Sequence, residues 1–289
     1  LVGLWIVQPG HSLTAYDMNS ILGLKGNSGC ELAILGDTIR KSCERNYNDR
    51  LKLQCKKQTD FNNGIFSTPK VYESGIDNQG KFFFNMEFMP CKTFDRVFNT
   101  ATKAYLDTII GKLLDFTIAN TKKTTDFSSK IITTKYESVK NNIRAQKNID
   151  VSYLDDIFYS LDETINIPEG YCHGDLTFSN LLFDGDNIVL LDFLDTYLDS
   201  PMQDIVKIRQ DTKYHWSIRM LDCKFDGVKL TQCLNYIDKK IDYEFSKNEY
   251  YVEYYAVFQI LNLLRIVPYC KEIKNVNYLI NEVDKLCQH

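Results

Sequence analysis

The stretch 171–205, YCHGDLTFSNLLFDGDNIVLLDFLDTYLDSPMQDI, constrains this chain more than any other. Within it LLF and IVLLDF flank DGDN, whose Asp, Gly and Asn favour chain reversal, so the pattern predicts a β-hairpin. In an antiparallel pair the start of the first strand lies beside the end of the second. Asn180, just before LLF, therefore comes close to Asp192, just after IVLL. Asp175 lies five residues before Asn180, in a loop that can place its carboxylate over the same spot. Two carboxylates and a carboxamide oxygen are the hard donors that Mg²⁺ uses together with waters and substrate phosphates, with one acid left over as a base. Phosphoryl transfer needs that set.

The rest of the chain predicts two lobes. SILGL, CELAIL and TIRKS read as three strands over residues 20–43, separated by KGNSG and by the turn Gly36-Asp37. A polar helix is expected from about Asn48 to Asp60, with Leu51, Leu53, Cys55 and Phe61 as its buried candidates. PKVYESG and KFFFNMEFM read as strands on either side of IDNQG. Past Pro90 the period becomes helical, from Lys92 to Leu161, with Leu106, Ile109, Ile110, Leu113, Leu114 and Phe116 recurring at three and four. The expected fold class is α+β and bilobal. Residues 1–19 would be an extension or linker, 20–90 a small β-rich N-lobe that binds nucleotide, and 91–289 a larger helical C-lobe with the catalytic loop and substrate site.

Composition excludes several classes. A net charge of −4 over 289 residues, spread over both signs, gives no basic footprint for nucleic acid. The nine cysteines are odd in number and show no C-x-x-C spacing, against a disulfide framework or a cysteine zinc site. No apolar run approaches the roughly 18 residues of a membrane span, so a cytoplasmic protein is expected. The chain opens on Leu, not Met, and an upstream domain in a longer polypeptide is one reading of that.

HGDLTFSN and DFLDTYLDSPMQD, in that order and spacing, resemble the catalytic loop and metal-binding segment of the aminoglycoside phosphotransferase and choline kinase-like family, relatives of the protein kinases. The resemblance implies that Asp175 orients and deprotonates an acceptor hydroxyl while Asn180 and Asp192 hold Mg²⁺ against the phosphates of ATP or GTP. It implies that His173 braces the loop. In the first lobe it implies that Lys41, in TIRKS, meets the nucleotide phosphates and that KGNSG, with Gly26 and Gly29, covers them. The backbone from Glu87 to Met89 would hold the nucleobase. One element departs from the family: the helix after Lys41 should carry a glutamate but has Gln54 and Gln58, leaving Asp49 or Asp60 as substitutes.

Asp195 is a further candidate near metal or substrate, Asp199 is expected to close a turn, and Asp204 to cap the helix that starts IVKIRQ. The Tyr-rich stretch YEFSKNEYYVEYYAVFQILNLLRIV reads as a buried helix in preference to an aromatic cage for a cation. Asp192-Phe193-Leu194 is not D-F-G and no A-P-E follows, which disfavours a protein substrate. The opening stretch and DSPMQDIVKIRQDTKYHW are similar to kinase domains fused behind sugar nucleotidyltransferases in bacterial surface-polysaccharide synthesis. The expected activity is therefore phosphorylation of a sugar, amino alcohol or aminoglycoside-like metabolite. The rival is a pseudokinase, a nucleotide-binding or scaffolding module, motivated by the missing glutamate.

Overall fold

The computed structural model describes residues 24–25, 30–221 and 226–288. Gly26, Gly29, the expected extension 1–19 and most of the strand SILGL lie outside these residues. In chain order the elements are β1 (Leu24–Lys25), β2 (Cys30–Leu35), β3 (Thr38–Cys43), α1 (Asn48–Thr59), β4 (Val71–Ile76), β5 (Phe82–Glu87), β6 (Lys92–Thr93), α2 (Phe94–Thr100) and α3 (Lys103–Asn120). Then come β7 (Thr121–Ser128), α4 (Lys130–Lys147), α5 (Asp155–Tyr159), β8 (Thr164–Gly170), β9 (Leu181–Asp184) and β10 (Asn187–Leu190). Five helices close the series: α6 (Pro201–Thr212), α7 (Trp216–Arg219), α8 (Gly227–Phe245), α9 (Glu249–Leu264) and α10 (Ile273–Leu286). No helix among the described residues is long and apolar enough to cross a membrane.

Two compact units share these elements. Of the described residues, the first gathers those up to Lys112 with Thr177–Asp195 and those within Ser217–Leu230; the second gathers the others. In the first, an antiparallel sheet runs in the order β1-β2-β3-β5-β4. Strand alternation sends Ile39, Lys41 and Cys43 of β3 to the buried face and Arg40 to the other. There Arg40 bonds Asn85 at 2.8 Å and lies 4.0 Å from the centre of the Phe83 ring. The buried face forms a core with Phe82, Phe84 and Met86 of β5 and with Leu51 and Cys55 of α1.

Helix α1 turns Leu51, Gln54, Cys55 and Gln58 inward, at the i, i+3, i+4, i+7 spacing of one helical face. Leu53, an expected core residue, is 52% exposed. It is two residues from Leu51 and so faces away, while the amides of Gln54 and Gln58 occupy the inner stripe. The hairpin β9–β10 has Leu181 opposite Leu190 and turns at Gly185, whose φ of 57° suits glycine.

In the second unit the expected helical run from Lys92 to Leu161 is broken by β7, which pairs antiparallel with β8. TKKTTDFS carries no fully buried residue, so its strand character comes from pairing with TINIPEG, whose Ile165 and Ile167 are buried. At the end of β8, a Cβ placed on Gly170 would fall 1.8 Å from the carbonyl oxygen of Asn120. Gly170→Ala should therefore destabilise the protein by roughly 1–3 kcal/mol, read as a lowered urea midpoint; an unchanged midpoint refutes that tight approach. The Tyr-rich stretch covers the end of α8 and then α9, in which Tyr251, Tyr254 and Tyr255 are buried. Arg209 of α6 lies 4.6 Å from the Tyr255 ring and pairs with Asp238 at 3.0 Å, so these tyrosines belong to packing.

Candidate active site

Because Lys41 sits on the face of β3 that meets α1, its ammonium reaches two partners. It donates to Gln54 Oε1 at 3.2 Å and to Asp192 Oδ1 at 2.7 Å. Burial alone would lower the affinity of the Lys41 amine for its proton, but the Asp192 carboxylate overcomes that and holds it above its ordinary value. Asp49 instead pairs with Lys52, and Asp60 with Lys56 on the helix surface. Neither acid replaces the missing glutamate. The neutral amide of Gln54 takes that place, one helical turn from Leu51 on the same stripe.

Asp192 follows β10 directly. The Leu191 N–H donates to the Asn180 carbonyl at 2.9 Å, extending the hairpin ladder by one step and setting Asn180 next to the residue that precedes Asp192. Asp192 has φ 58°, a left-handed conformation that costs energy in any residue with a side chain. Beyond it the chain is tied back to α1: Phe193 packs on Phe61 with ring centres 5.3 Å apart, and Lys57 donates to the Leu194 carbonyl at 3.1 Å. Asp195 is exposed. Lys57 and Phe61 carry no motif, and only the tertiary fold brings them to this segment.

Glu87 ends β5, and Met89 follows it by two residues. The Glu87 N–H donates to the Lys70 carbonyl at 2.9 Å, and Cys91 N–H to the Met89 carbonyl at 2.8 Å. Met89 packs against Leu182, Val189 and Leu191.

In the second unit the loop HGD is shaped by Asp204. Its carboxylate accepts the backbone N–H groups of His173 at 2.7 Å and Gly174 at 2.8 Å, and Gly174 takes φ 88°. The helix cap expected of Asp204 falls to Ser200, whose hydroxyl accepts the Met202 N–H at 3.2 Å; Pro201 then opens α6. Asp204 lies in the first turn, where its side chain turns to the loop. His173 is fully buried, and its Nδ1 accepts the Asp175 N–H at 3.2 Å. Asp199 accepts from the Thr196 hydroxyl at 2.7 Å.

Asp175 is 3% exposed and forms an ion pair at 2.9 Å with Lys207, itself 6% exposed, on α6. Burial pushes the Asp175 carboxyl up, but the Lys207 ammonium and His173 outweigh it and hold the group well below the usual carboxylate range. Lys207 also donates to Gln210 Oε1 at 3.2 Å, which accepts in turn from Asn262 of α9 at 3.2 Å. Lys207 was not singled out in the sequence. Its signal was a lysine in IVKIRQ, a helix every residue of which is buried.

Among the described residues no three His, Cys, Asp or Glu side chains form a metal-holding group. The oxygen donors of Asn180 and Asp192 nonetheless fit a Mg²⁺ that arrives with nucleotide phosphates, since that ion takes only one or two protein ligands and keeps waters.

A β-rich unit that buries a lysine against an acid following a hairpin, with an HGD loop braced from a helix, defines a phosphotransferase of protein-kinase-like fold. The family model described as "Phosphotransferase enzyme family" matches residues 62–221, more than half of the chain, and the protein belongs to that family. It is thus an enzyme that transfers phosphoryl groups to hydroxyl acceptors. No curated protein matches at the level of sequence. Solved structures share the fold. A thermostable aminoglycoside phosphotransferase APH(4)-Ia mutant bound to AMP-PNP and hygromycin B superposes with a TM-score of 0.64 at 10% identity, covering 93% of this chain and 94% of that one. The GDP complex of aminoglycoside 2'-phosphotransferase-IIIa gives 0.57 at 12% identity, covering 93% and 91%. A putative fructosamine-3-kinase from Haemophilus somnus 129PT gives 0.52 at 17% identity, covering 90% of each chain.

Gln54→Ala should lower kcat/KM for nucleotide about tenfold, the worth of one buried hydrogen bond to a charge. An unchanged value in steady-state kinetics would show that Asp192 alone positions Lys41.

Proposed function

We propose that this protein transfers the γ-phosphate of ATP or GTP to a hydroxyl of a small metabolite, with Asp175 as the acceptor-orienting base. The observation that carries the reading is the pairing of buried Lys41 with partly buried Asp192 at 2.7 Å, one step along the hairpin from Asn180. A lysine that is removed from water and kept charged suits phosphate oxygens, and Lys41 can exchange Asp192 for them. Asn180 and Asp192 would hold Mg²⁺, which when bound neutralises charge on the phosphates. The Met89 N–H, which has no acceptor among the described residues, is the group offered to a nucleobase. Asp175, fixed by Lys207 and by its N–H to His173, accepts a hydrogen bond from the acceptor hydroxyl and aims its lone pair. Because Lys207 keeps the carboxyl a weak base, orientation matters more than early proton removal, in keeping with a loose phosphoryl transition state.

The neighbours' ligands, AMP-PNP and GDP as donor-site molecules and hygromycin B as acceptor, support a nucleotide plus a hydroxyl-bearing partner. A sugar or related building block of surface polysaccharide is the narrower reading, and an upstream domain in a longer polypeptide would accompany it. The test is Mg²⁺-dependent release of ADP or GDP over a panel of sugars, amino alcohols and aminoglycosides. Acceptor-stimulated release supports the kinase. Nucleotide binding without turnover on any acceptor would favour the pseudokinase, the reading that Gln54 in the glutamate's place recommends.

A further inference from the structure

At its surface the second unit holds an open cavity of about 560 Å³, with Ser128, Lys130, Thr134 and Ser138 of its lining exposed to solvent. Ser128 at the end of β7, Lys130, Thr134, Lys135 and Ser138 of α4, and Tyr197 line it, and no carboxylate does. Residues 130, 134 and 138 recur every four, so one face of α4 presents a cation and two hydroxyls in a row. The Tyr197 ring has Lys135 Nζ 5.7 Å from its centre and Arg265 Cζ 5.5 Å from it. Tyr197 accepts a hydrogen bond from Gln203 of α6 at 2.8 Å.

Nearby acids are engaged elsewhere. Asp199 accepts from Thr196, and Glu137 pairs with Lys140 at 2.7 Å. Neither Lys130 nor Arg265 belongs to an ion pair among the described residues. A positive cavity is therefore set into a chain whose net charge is −4. Its place also matters: Tyr197 is held by Gln203 of α6, and one turn further along that helix Lys207 pairs with Asp175 at 2.9 Å. The cavity wall is thus joined through α6 to the carboxylate that would orient the acceptor.

We propose that this cavity receives an anionic group, a phosphate or a carboxylate, carried by the phosphoryl acceptor. The inference rests on the kinase reading above and narrows its substrate. Two lysines and the hydroxyls of Ser128, Thr134 and Ser138 suit an oxyanion with several acceptor oxygens, whereas a polycationic aminoglycoside would meet like charge. The acceptor is then an acidic polyol or a sugar phosphate, and the product carries two anionic groups.

Calorimetric titration of the full chain with glycerol 3-phosphate, glycerate and glycerol tests this directly. At least one anion is expected to bind saturably while glycerol does not. Stronger binding of glycerol 3-phosphate identifies a phosphate site, and stronger binding of glycerate a carboxylate site. The double variant Lys130→Gln/Lys135→Gln should keep its melting temperature and weaken that binding about tenfold, or ~1.4 kcal/mol. Added salt should weaken it in the wild type. Equal affinity for all three compounds, no saturable binding of either anion, or an unaltered double variant overturns the proposal. None of these readings needs turnover. An Asp175→Asn variant that stops turnover yet binds the anion as before separates this site from the chemistry, whereas a double variant that loses anion binding but turns over its acceptor unchanged shows that the acceptor does not use this cavity and overturns the proposal.

Discussion

Asp175→Asn is expected to lower kcat by about 10²- to 10⁴-fold, with nucleotide affinity unchanged. The amide keeps the side chain's shape but accepts the acceptor's hydrogen bond poorly and cannot take its proton. Nucleotide affinity should survive because Lys41, Gln54 and Asp192 make their contacts within the other unit. The substitution also leaves the Lys207 ammonium buried without its carboxylate. A fall in activity must therefore be read beside a melting curve. The control is Asp175→Asn/Lys207→Met, which removes both charges: it should recover stability and remain inactive. A single variant that is folded and turns over at the wild-type rate would remove Asp175 from the mechanism.

Lys207→Met is expected to cost roughly 3–5 kcal/mol of stability, because it strands a buried carboxylate. Met fills much of the lysine's volume, so the loss reports charge in preference to packing. The pH dependence separates the two. In the wild type the Asp175 carboxyl is held below its unfolded value of about 3.9, so its contribution is present above that value and lost as pH falls through the folded one. In the variant, burial without the lysine raises the folded value above the unfolded one. Its penalty then grows as pH rises from about 4 and vanishes in acid. The gap in unfolding free energy between the two proteins should narrow as pH is lowered from 7 towards 4. A gap that stays constant over that range would mean that the cost is packing alone, and that Lys207 does not set the charge state of Asp175.

These effects come from groups of unequal legibility in the sequence. Asp175, Asn180 and Asp192 were readable because the hairpin between the last two is a local structure: DGDN turns the chain, and antiparallel pairing then fixes which residues flank the ladder. Lys41 was singled out through the family resemblance, which expects a lysine in the third strand, and alternation along β3 puts it on the buried face. Lys207 and Lys57 were not, since a lysine in a helix has no meaning until another segment packs on it; Phe61 was an expected buried residue, but its partner Phe193 was not. Asp204 illustrates the same limit. Sequence placed it at the start of a helix, where an acid commonly caps, yet Ser200 caps α6 and the Asp204 carboxylate takes two N–H groups from a loop 30 residues earlier.

The strand β7 was hidden for a related reason. TKKTTDFS buries no residue of its own, so it has no hydrophobic period to read, and it becomes a strand only because β8 offers it a ladder. The sequence by itself determined the β-rich and helical halves, the hairpin and the approach of Asn180 to the segment that ends in Asp192, all of which follow from interactions between residues close along the chain. Only the tertiary structure decided that a neutral Gln54 accompanies Lys41, that Lys207 governs Asp175, and that Lys130, Lys135 and Tyr197 share one cavity. Each of these depends on side chains far apart in sequence whose charges matter only once burial has removed water from between them.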